Sequence, residues 1–307
     1  QHDDIIIDLN TLCQQLPVCL GQWEIITQSF LVTRPHVCAW KGSIHVSYFS
    51  VDSDGGTMGP RLSLSEPHSQ PSAFDRWHRS LKTGVLSLSN AQLKELSPEI
   101  IASLGSSLTS LDLTANKLEF LPEDIKLLVS LKSLNVQQNR LTSLPTELGT
   151  LTKLETLNLA RNAFTSFPLA VCQLGGHALR KLTLSGNFIR GLPDDIAQLG
   201  SLRELDVSQN ALVSLPIVLA QLDELQELNA DANQLREIPA QFAALKSIKI
   251  ISVRNNLLED FPADVLKFTM LTGLNVDGNP LTFEKLSGRD GFEEVSRITL
   301  LACECFE

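Results

Sequence analysis

The sequence predicts an α/β solenoid, in which a parallel β-sheet lines one side of the molecule and short helical turns line the other. Two regularities indicate this fold. Eight asparagines recur at intervals of 23 or 25 residues, at Asn116, Asn139, Asn162, Asn187, Asn210, Asn233, Asn256 and Asn279. Seven prolines follow in phase, at Pro122, Pro145, Pro168, Pro193, Pro216, Pro239 and Pro262. A fixed period of this length is typical of repeats that bury their apolar faces only by stacking on their neighbours.

Each repeat carries the signals of one strand and one helical turn. Leu111 and Leu113 alternate with polar residues ahead of Asn116, which predicts a short strand with one face turned inward. After each proline, apolar residues follow at the third and sixth positions, as at Ile125 and Leu128. This spacing predicts a turn of 3₁₀ or α-helix on the opposite side. We therefore expect strands on the concave face and helical turns on the convex face.

The recurring asparagine has a structural explanation. It follows the strand at the point where the chain turns, and there its amide can satisfy backbone groups that no neighbouring strand reaches. Stacked asparagines would form a ladder along the solenoid. We interpret them as structural residues and not as a binding site.

The complete frame, Leu-x-x-Leu-x-Leu-x-x-Asn-x-Leu-x-x-Leu-Pro, resembles the leucine-rich-repeat superfamily, in the 23-residue intracellular class that includes the Ras-group repeats. The resemblance covers residues 81–286 and implies a horseshoe with capped ends. A degenerate first repeat contains Leu86, Leu88 and Ala91, with Ser97 where proline would stand, which brings the expected count to nine. Two linkers, at 104–108 and 175–178, are longer than the others by two residues.

The rest of the chain is expected to divide around this array. The expected segments are an unassigned stretch at 1–57, a linker at 58–72, a capping helix at 73–81, the repeats at 82–286 and a C-terminal cap at 287–307, with a helical region over 283–301. Two interpretations of residues 1–57 stay open. The alternation of Ile44, Val46 and Tyr48 favours a folded extension of a few strands. Alternatively, the segment is translated upstream sequence and the natural protein starts at Met58, the first methionine.

A start at Met58 would place a lipidation pattern at the N-terminus. The opening of the array at 82–86 and its closing segment around Phe292 narrow the resemblance to one small intracellular member, whose family begins with Met-Gly. Met58 and Gly59 match that beginning, and the following residues fit the pattern for N-myristoylation of Gly59. Pro60 departs from the family's pattern and should hinder the acyltransferase. Membrane association is expected only if Gly59 is acylated.

Composition excludes several classes of function. The formal net charge of −10 and pI near 5.1 argue against nucleic-acid binding, which needs a basic stripe. No apolar run is long enough to span a bilayer, and no signal segment opens the chain. Cysteine clusters of the kind that flank extracellular repeats are missing, and Cys172 is expected in the core. Cys303 and Cys305 are too few for a structural zinc site. We expect a cytoplasmic monomer with no cofactor, no metal and no catalytic motif.

The outward residues of the strands are the candidate partner-binding site. They are Asp112, Asn135, Asn158, Lys181, Glu204, Asp206, Glu227, Asn229, Asp231 and Arg254. Four of them, Glu204, Asp206, Glu227 and Asp231, form an acidic patch, with Lys181 and Arg254 on either side. The patch is either a seat for a basic partner surface or an ordinary solvated face. Aromatic anchors are missing from this face, so a partner that binds an edge of the sheet is the alternative.

These patterns predict a non-catalytic protein–protein interaction adaptor or scaffold that binds its partner through the concave face. The resemblance to Ras-group repeats implies a place in small-GTPase or phosphatase signalling. The alternatives are a peripheral membrane adaptor acylated at Gly59 and, with less support, an extracellular receptor ectodomain.

Overall fold

A computed structural model describes residues 35–40, 43–48, 80, 82–174 and 178–281, together with residues 285, 288 and 299–300. The chain divides into two compact units, Gln1–Gln70 and Pro71–Glu307. In the first unit, β1 (Pro35–Trp40) pairs with β2 (Ser43–Tyr48) in an antiparallel hairpin. The alternating residues singled out in the sequence fall on β2. The other expectations for residues 1–57, and those for the linker and Gly59, lie outside the described residues.

The second unit is built on one open parallel sheet. Each repeat contributes a strand of three residues, which pairs with the strands of the repeats before and after it. The strands are β3 (Val85–Ser87), β4 (Ser110–Asp112), β5 (Ser133–Asn135), β6 (Thr156–Asn158), β7 (Lys181–Thr183), β8 (Glu204–Asp206), β9 (Glu227–Asn229), β10 (Ile250–Ser252) and β11 (Gly273–Asn275). The predicted solenoid, with strands on the concave face, is confirmed.

Short helices return the chain across the convex face. Among the described repeats, two of these segments are α-helices, α1 (Pro98–Leu104) in the first repeat and α2 (Ala263–Phe268) in the eighth. The 3₁₀ segments are Gly105–Ser107, Glu123–Leu127, Thr146–Thr150, Leu169–Leu174, Asp194–Gln198, Ile217–Gln221 and Ala240–Ala244. Proline stands at the N-cap of the regular segments, as Pro122 does with φ −72°. Its fixed φ and missing N–H suit the position just ahead of a helical turn. The longer first linker is absorbed in α1 and the 3₁₀ turn that follows it.

A single apolar core runs the length of the array. Leucine fills most of its positions, and the larger Phe164, Phe242 and Phe261 replace it in three repeats with less than 2% of their surface exposed. Cys172 lies in the same core, as its apolar neighbours predicted. Because each repeat covers the apolar face of the next, the stack itself supplies the burial that one repeat lacks.

The asparagine ladder is present as predicted. Asn162 donates from Nδ2 to the carbonyls of Leu159, in its own repeat, and Val136, in the preceding one. Its Oδ1 accepts the N–H of Leu141, also in the preceding repeat, at 3.0 Å. The same contacts recur from Asn116 to Asn279, and the acceptor in the preceding repeat is the carbonyl of the residue just after its strand. The ladder joins each repeat to its neighbour where the strands end.

A left-handed backbone residue precedes every ladder asparagine. Glycine, which adopts this conformation at no steric cost, occurs at only two of these eight positions, Gly186 and Gly278, both with φ +70°. The other six positions hold Ala115, Gln138, Arg161, Gln209, Ala232 and Asn255, with φ between 52° and 57°. The sharp turn out of each strand thus carries local backbone strain in most repeats.

The ends of the array differ in part from the sequence prediction. Ser80 is helical, as are Lys82 and Thr83 beyond the predicted end of the capping helix, and the other residues of the expected helix at 73–81 lie outside the described residues. At the other end, the helical region expected over 283–301 is wrong at its last residues. Thr299 and Leu300 form a strand, β12 (Thr299–Leu300), that pairs in parallel with β11. The open edge of the last repeat strand offers unpaired backbone groups, and β12 satisfies them.

Candidate functional site

The strand register aligns the candidate residues in rows across the concave face. In the central row, Asp112, Asn135 and Asn158 lie on consecutive strands. Thr183 separates them from Asp206 and Asn229, which are again neighbours. In the row before it, Lys181, Glu204 and Glu227 lie side by side. The candidate site therefore has two parts, an amide-rich part in the second to fourth repeats and a charged part in the fifth to eighth.

The central row has a backbone role that the sequence analysis missed. Asp112, Asn135, Asn158, Asp206 and Asn229 each accept, at Oδ1, the N–H of the residue two positions later, at 3.0 to 3.2 Å. This local bond closes the end of the strand in the manner of an Asx turn. One oxygen of each side chain is therefore engaged in the fold. The signal was present in the sequence, because Asp and Asn recur in this row.

The acidic patch is not uniform. Asp231 accepts hydrogen bonds at one oxygen from the Ser252 hydroxyl and the Arg254 N–H, both at 2.7 Å. Asp206 holds the N–H of Ser208 at 3.0 Å. These two carboxylates thus support the backbone as well as carrying charge. The structure brings Asp231 and Arg254 together through the backbone of Arg254, whose guanidinium instead lies 3.8 Å from Asp277.

Glu204 and Glu227 are the two carboxylates of the patch without a backbone role. They occupy the same row on adjacent strands, where strands lie about 4.8 Å apart. Glu204 forms an ion pair with Lys181, and both side chains are about half exposed. Glu227 is exposed, and among the described residues it has neither an ion-pair partner nor a side-chain hydrogen bond. Like charges on neighbouring strands destabilise a sheet, so the placement of Glu204 beside Glu227 weakens the fold slightly.

Other kinds of site have little support within the described repeats. A shallow depression of about 380 Å³ lies between Phe120, Pro122 and Pro145, and Glu123 is its one ionisable residue. No group of three or more metal-ligating side chains occurs in the part of the chain that the structure describes. No helix among the described residues is long and apolar enough to cross a membrane.

Comparison with known families and structures agrees with this geometry. A leucine-rich-repeat model matches residues 83–141 and 177–235, and a second model, for two leucine-rich repeats, matches residues 129–170. A search of curated protein sequences found no match. The matching models indicate no enzymatic family, and leucine-rich repeats are in general non-catalytic modules that bind other proteins.

Several solved structures share the fold. A leucine-rich-repeat protein of Leptospira interrogans is 30% identical, with a TM-score of 0.57 over 70% of this chain and 59% of that chain. A plant peptide hormone receptor, RGFR1, solved in complex with RGF2, is 27% identical, with a TM-score of 0.55 over 64% of this chain and 32% of that chain. An internalin of Listeria monocytogenes is 22% identical, with a TM-score of 0.60 over 70% and 59%.

The similarity spans less than two thirds of each of these three solved chains. The internalin supports the fold alone because its identity is low. The family models and the stacked frame agree on the same residues. The repeats of residues 83–235 are leucine-rich repeats, and the fold that they build is the leucine-rich-repeat solenoid.

Proposed function

We propose that this protein is a non-catalytic adaptor that binds a protein partner with a basic surface through the concave face of its repeats. The observation that carries the proposal is the pair formed by Glu204 and Glu227. These carboxylates lie on adjacent strands, with Glu227 exposed and Glu204 about half exposed. They do not support the backbone, and Glu227 has no cation beside it among the described residues. A lysine or arginine from a partner would relieve their mutual repulsion.

The shape of the face supports the same proposal. Small polar side chains occupy the central row, at Thr183 and Ser252, and the row after it, at Ser208, so a partner's backbone can approach closely. A fold relative offers a precedent, since the plant peptide hormone receptor was solved in complex with RGF2. The surface is open along its length, which suits an extended loop or a helix more than a small molecule.

We place the adaptor in the cytoplasm, as a monomer that acts in small-GTPase or phosphatase signalling. This part rests on the resemblance to the Ras-group class, and the ends of the array resemble those of leucine-rich repeat-containing protein 57. Acylation at Gly59 would make it a peripheral membrane adaptor. Intact mass of the native protein tests that step, because an N-terminus at Gln1 or an unmodified Gly59 excludes it.

A quantitative pull-down tests the concave site. The double variant Glu204→Lys and Glu227→Lys reverses the charge and leaves the backbone contacts of Asp206 and Asp231 in place. The matched control, Glu123→Lys and Asp264→Lys, makes the same change in net charge at exposed positions of the convex helices. We expect a set of basic partners to be lost from the concave variant and kept by the control. An unchanged set of partners for the concave variant would refute the proposal.

A second candidate is a receptor ectodomain. The observation in its favour is the similarity to the plant receptor and to the ectodomain of the receptor kinase GASSHO1 of Arabidopsis thaliana, which is 29% identical with a TM-score of 0.54 over 63% of this chain and 24% of that chain. Protease treatment of intact cells discriminates the two candidates. A cytoplasmic adaptor stays protected until the membrane is permeabilised, whereas an ectodomain is digested at once.

A further inference from the structure

Over the third to fifth repeats, the edge of the sheet where the strands end has a charge opposite to that of the whole chain. The six residues from the left-handed turn onward occupy equivalent positions in every repeat, and in the third to fifth repeats they are residues 138–143, 161–166 and 186–191. These segments contain Arg140, Arg161 and Arg190 and no aspartate or glutamate. Their local charge is thus +3 in a chain whose formal net charge is −10.

The other repeats do not share this imbalance. The equivalent residues 115–120 contain Lys117 with Glu119, and residues 232–237 contain Arg236 with Glu237. Each cation outside the third to fifth repeats thus has a carboxylate in its own segment. The four ion pairs among the described residues join Lys132 to Glu155, Lys181 to Glu204, Arg203 to Glu224 and Arg254 to Asp277. None of them includes the three edge arginines, which are all exposed.

An aromatic residue lies among these arginines. Phe188 is 62% exposed, and Val213, in the next repeat along the same edge, is 52% exposed. One exposed phenylalanine alone is ordinary on a protein surface. Here it coincides with uncompensated arginines, and aromatic and arginine side chains are the ones most enriched at the energetic centres of protein interfaces. The concave face has no such anchor.

The backbone makes this edge a rigid platform. The N–H of Phe188 donates to the carbonyl of Phe164 at 2.8 Å, and the N–H of Ala163 donates to that of Leu141 at 2.9 Å. Consecutive edge segments therefore stack as tightly as the strands, which places Arg140 roughly 10 Å from Phe188 at the backbone. A rigid platform loses little conformational entropy when a partner binds.

Gly186 gives Arg161 its position on this platform. A Cβ atom at Gly186 would lie 3.0 Å from Cγ of Arg161, so the arginine stem packs over the bare backbone of the next repeat. Gly186 precedes Phe188 by two residues, and its positive φ places it at the start of the edge segment. The stem of Arg161 therefore extends from its own repeat towards that of Phe188.

We infer that Phe188, Arg140, Arg161 and Arg190, here named the basic edge, form a second interaction surface that binds an acidic segment of a protein partner with an apolar side chain among its carboxylates. Arginine can bind a carboxylate through two parallel hydrogen bonds, and Phe188 would receive the apolar side chain. A nucleic acid fits less well, because a chain of net charge −10 repels a continuous phosphate backbone.

The test uses three labelled probes on the 307-residue chain. The first is a fluorescein-labelled dodecapeptide with a central Phe-Leu and glutamate on both sides. The second replaces every glutamate by glutamine, and the third is a single strand of twelve thymidines. We expect the glutamate peptide to bind about ten-fold more tightly than the glutamine peptide at low salt, with an affinity that falls as salt is added. Equal affinities, no binding of the glutamate peptide, or tighter binding of the oligonucleotide would overturn the inference.

Matched variants locate the binding. Arg161→Glu with Arg190→Glu should weaken the glutamate peptide by about ten-fold or more, and Phe188→Ala by about five-fold. The control Lys117→Glu with Arg236→Glu makes the same charge change on the same edge outside the third to fifth repeats, and Phe120→Ala removes another exposed phenylalanine. Both should stay within about two-fold of the unmodified chain. Equal losses in variants and controls would mean non-specific attraction and overturn the inference.

The basic edge and the concave site can fail separately. Glu204→Lys with Glu227→Lys should not weaken the glutamate peptide, because those residues lie on the concave face and not on the edge. If that variant did abolish peptide binding, the peptide would be bound elsewhere than at the basic edge.

Discussion

The side-chain amide of each ladder asparagine joins its own repeat to the preceding one, just after the strands end. Asn162 is 6% exposed, and it bonds to the carbonyl of Val136 and the N–H of Leu141 in the preceding repeat. These backbone groups are buried, and the strands do not reach them. An unpaired buried donor or acceptor is expensive, whereas a surface hydrogen bond contributes little. The ladder therefore makes a larger contribution than its number of bonds suggests.

Replacing Asn162 by alanine tests that contribution. We expect the free energy of unfolding to fall by about 2–3 kcal/mol, since the substitution leaves the buried N–H of Leu141 unpaired and removes one donor from the carbonyls of Val136 and Leu159. The control is Asn158→Ala, four residues earlier in the same repeat, whose half-buried side chain bonds to Ala160 and Gln137. Its loss should be about 1 kcal/mol. Urea unfolding followed by circular dichroism measures both, and equal losses would contradict the ladder's special role.

The left-handed turn allows a second test. Gly278 has φ +70°, and a Cβ there would lie 2.2 Å from Oδ1 of Asn255. Gly278→Ala should lower the free energy of unfolding by roughly 1–2 kcal/mol, through backbone strain and displacement of that amide. Gly191→Ala is the control, because a Cβ at Gly191 meets no atom within 4 Å. The control should be neutral or slightly stabilising. Thermal unfolding distinguishes the two, and an equally stable Gly278 variant would show that the turn tolerates a side chain.

Burial of the Cys172 thiol makes the stability of the fold depend on pH. Burial, with a smaller effect of the Asp195 carboxylate, raises its pKa to about 11. In the unfolded chain the pKa of this thiol is ~8.5, so as the pH rises the unfolded state loses the proton before the folded state does. The stability linked to Cys172 is therefore fully present below that pH and is lost as the pH rises towards 11. At pH 8 we expect iodoacetamide to spare Cys172 in the folded chain and to label it in urea, as read by peptide mass spectrometry. Rapid labelling of the folded chain would contradict its burial.

At the scale of the elements, periodicity decided what could be predicted. Strands such as β5 and the 3₁₀ turn at Glu123–Leu127 follow from the positions of leucine and proline, because every repeat restates the same pattern. The position of β1 was not predicted, because His36 and Cys38 give no clear alternation. β12 was missed because it forms by pairing with the open edge of β11, and such a tertiary contact has no signal in the local sequence pattern.

The candidate site was predictable in position but not in chemistry. The repeat frame placed Lys181, Glu204 and Glu227 in one row, and the register agrees. It did not reveal that Asp206 and Asp231 hold backbone N–H groups, since the choice of acceptor depends on the turn geometry. Nor do the concave rows include the edge, where Phe188 is exposed. Counting charge by equivalent position, rather than by strand, would have found the basic edge.

A substitution in the core tests how tightly the helical turns of the convex side are packed. Phe242 is fully buried at a position where other repeats carry Ile125, Leu148 or Leu219. Phe242→Ala should cost about 3–5 kcal/mol, because the neighbouring repeats can relax only partly into the space. Phe242→Leu, which restores the side chain of two other repeats, should cost about 1 kcal/mol. Urea unfolding measures both, and a small loss for alanine would indicate a loosely packed convex side.

At the scale of the whole molecule, each repeat contacts only its neighbours. The strands from β3 to β11 lie in the sheet in the same order as in the chain. Stability is then approximately a sum of repeat and interface terms, so the number of repeats can change without loss of the fold. The two proposed surfaces also lie at different positions along the stack of repeats, with the basic edge in the third to fifth repeats and Glu227 in the seventh.

Deleting one repeat in phase tests both ideas. Removal of residues 210–232 joins Gln209 to Asn233 and restores the frame, because equivalent asparagines are 23 residues apart here. We expect a folded array whose urea m-value is lower by roughly one ninth. A twelve-residue deletion, 210–221, breaks the phase and should unfold the array. The shortened chain loses Glu227 and Asp231 and keeps the basic edge. It should therefore lose concave partners while still binding the glutamate peptide, and loss of both from a folded chain would mean that the two surfaces are not separate.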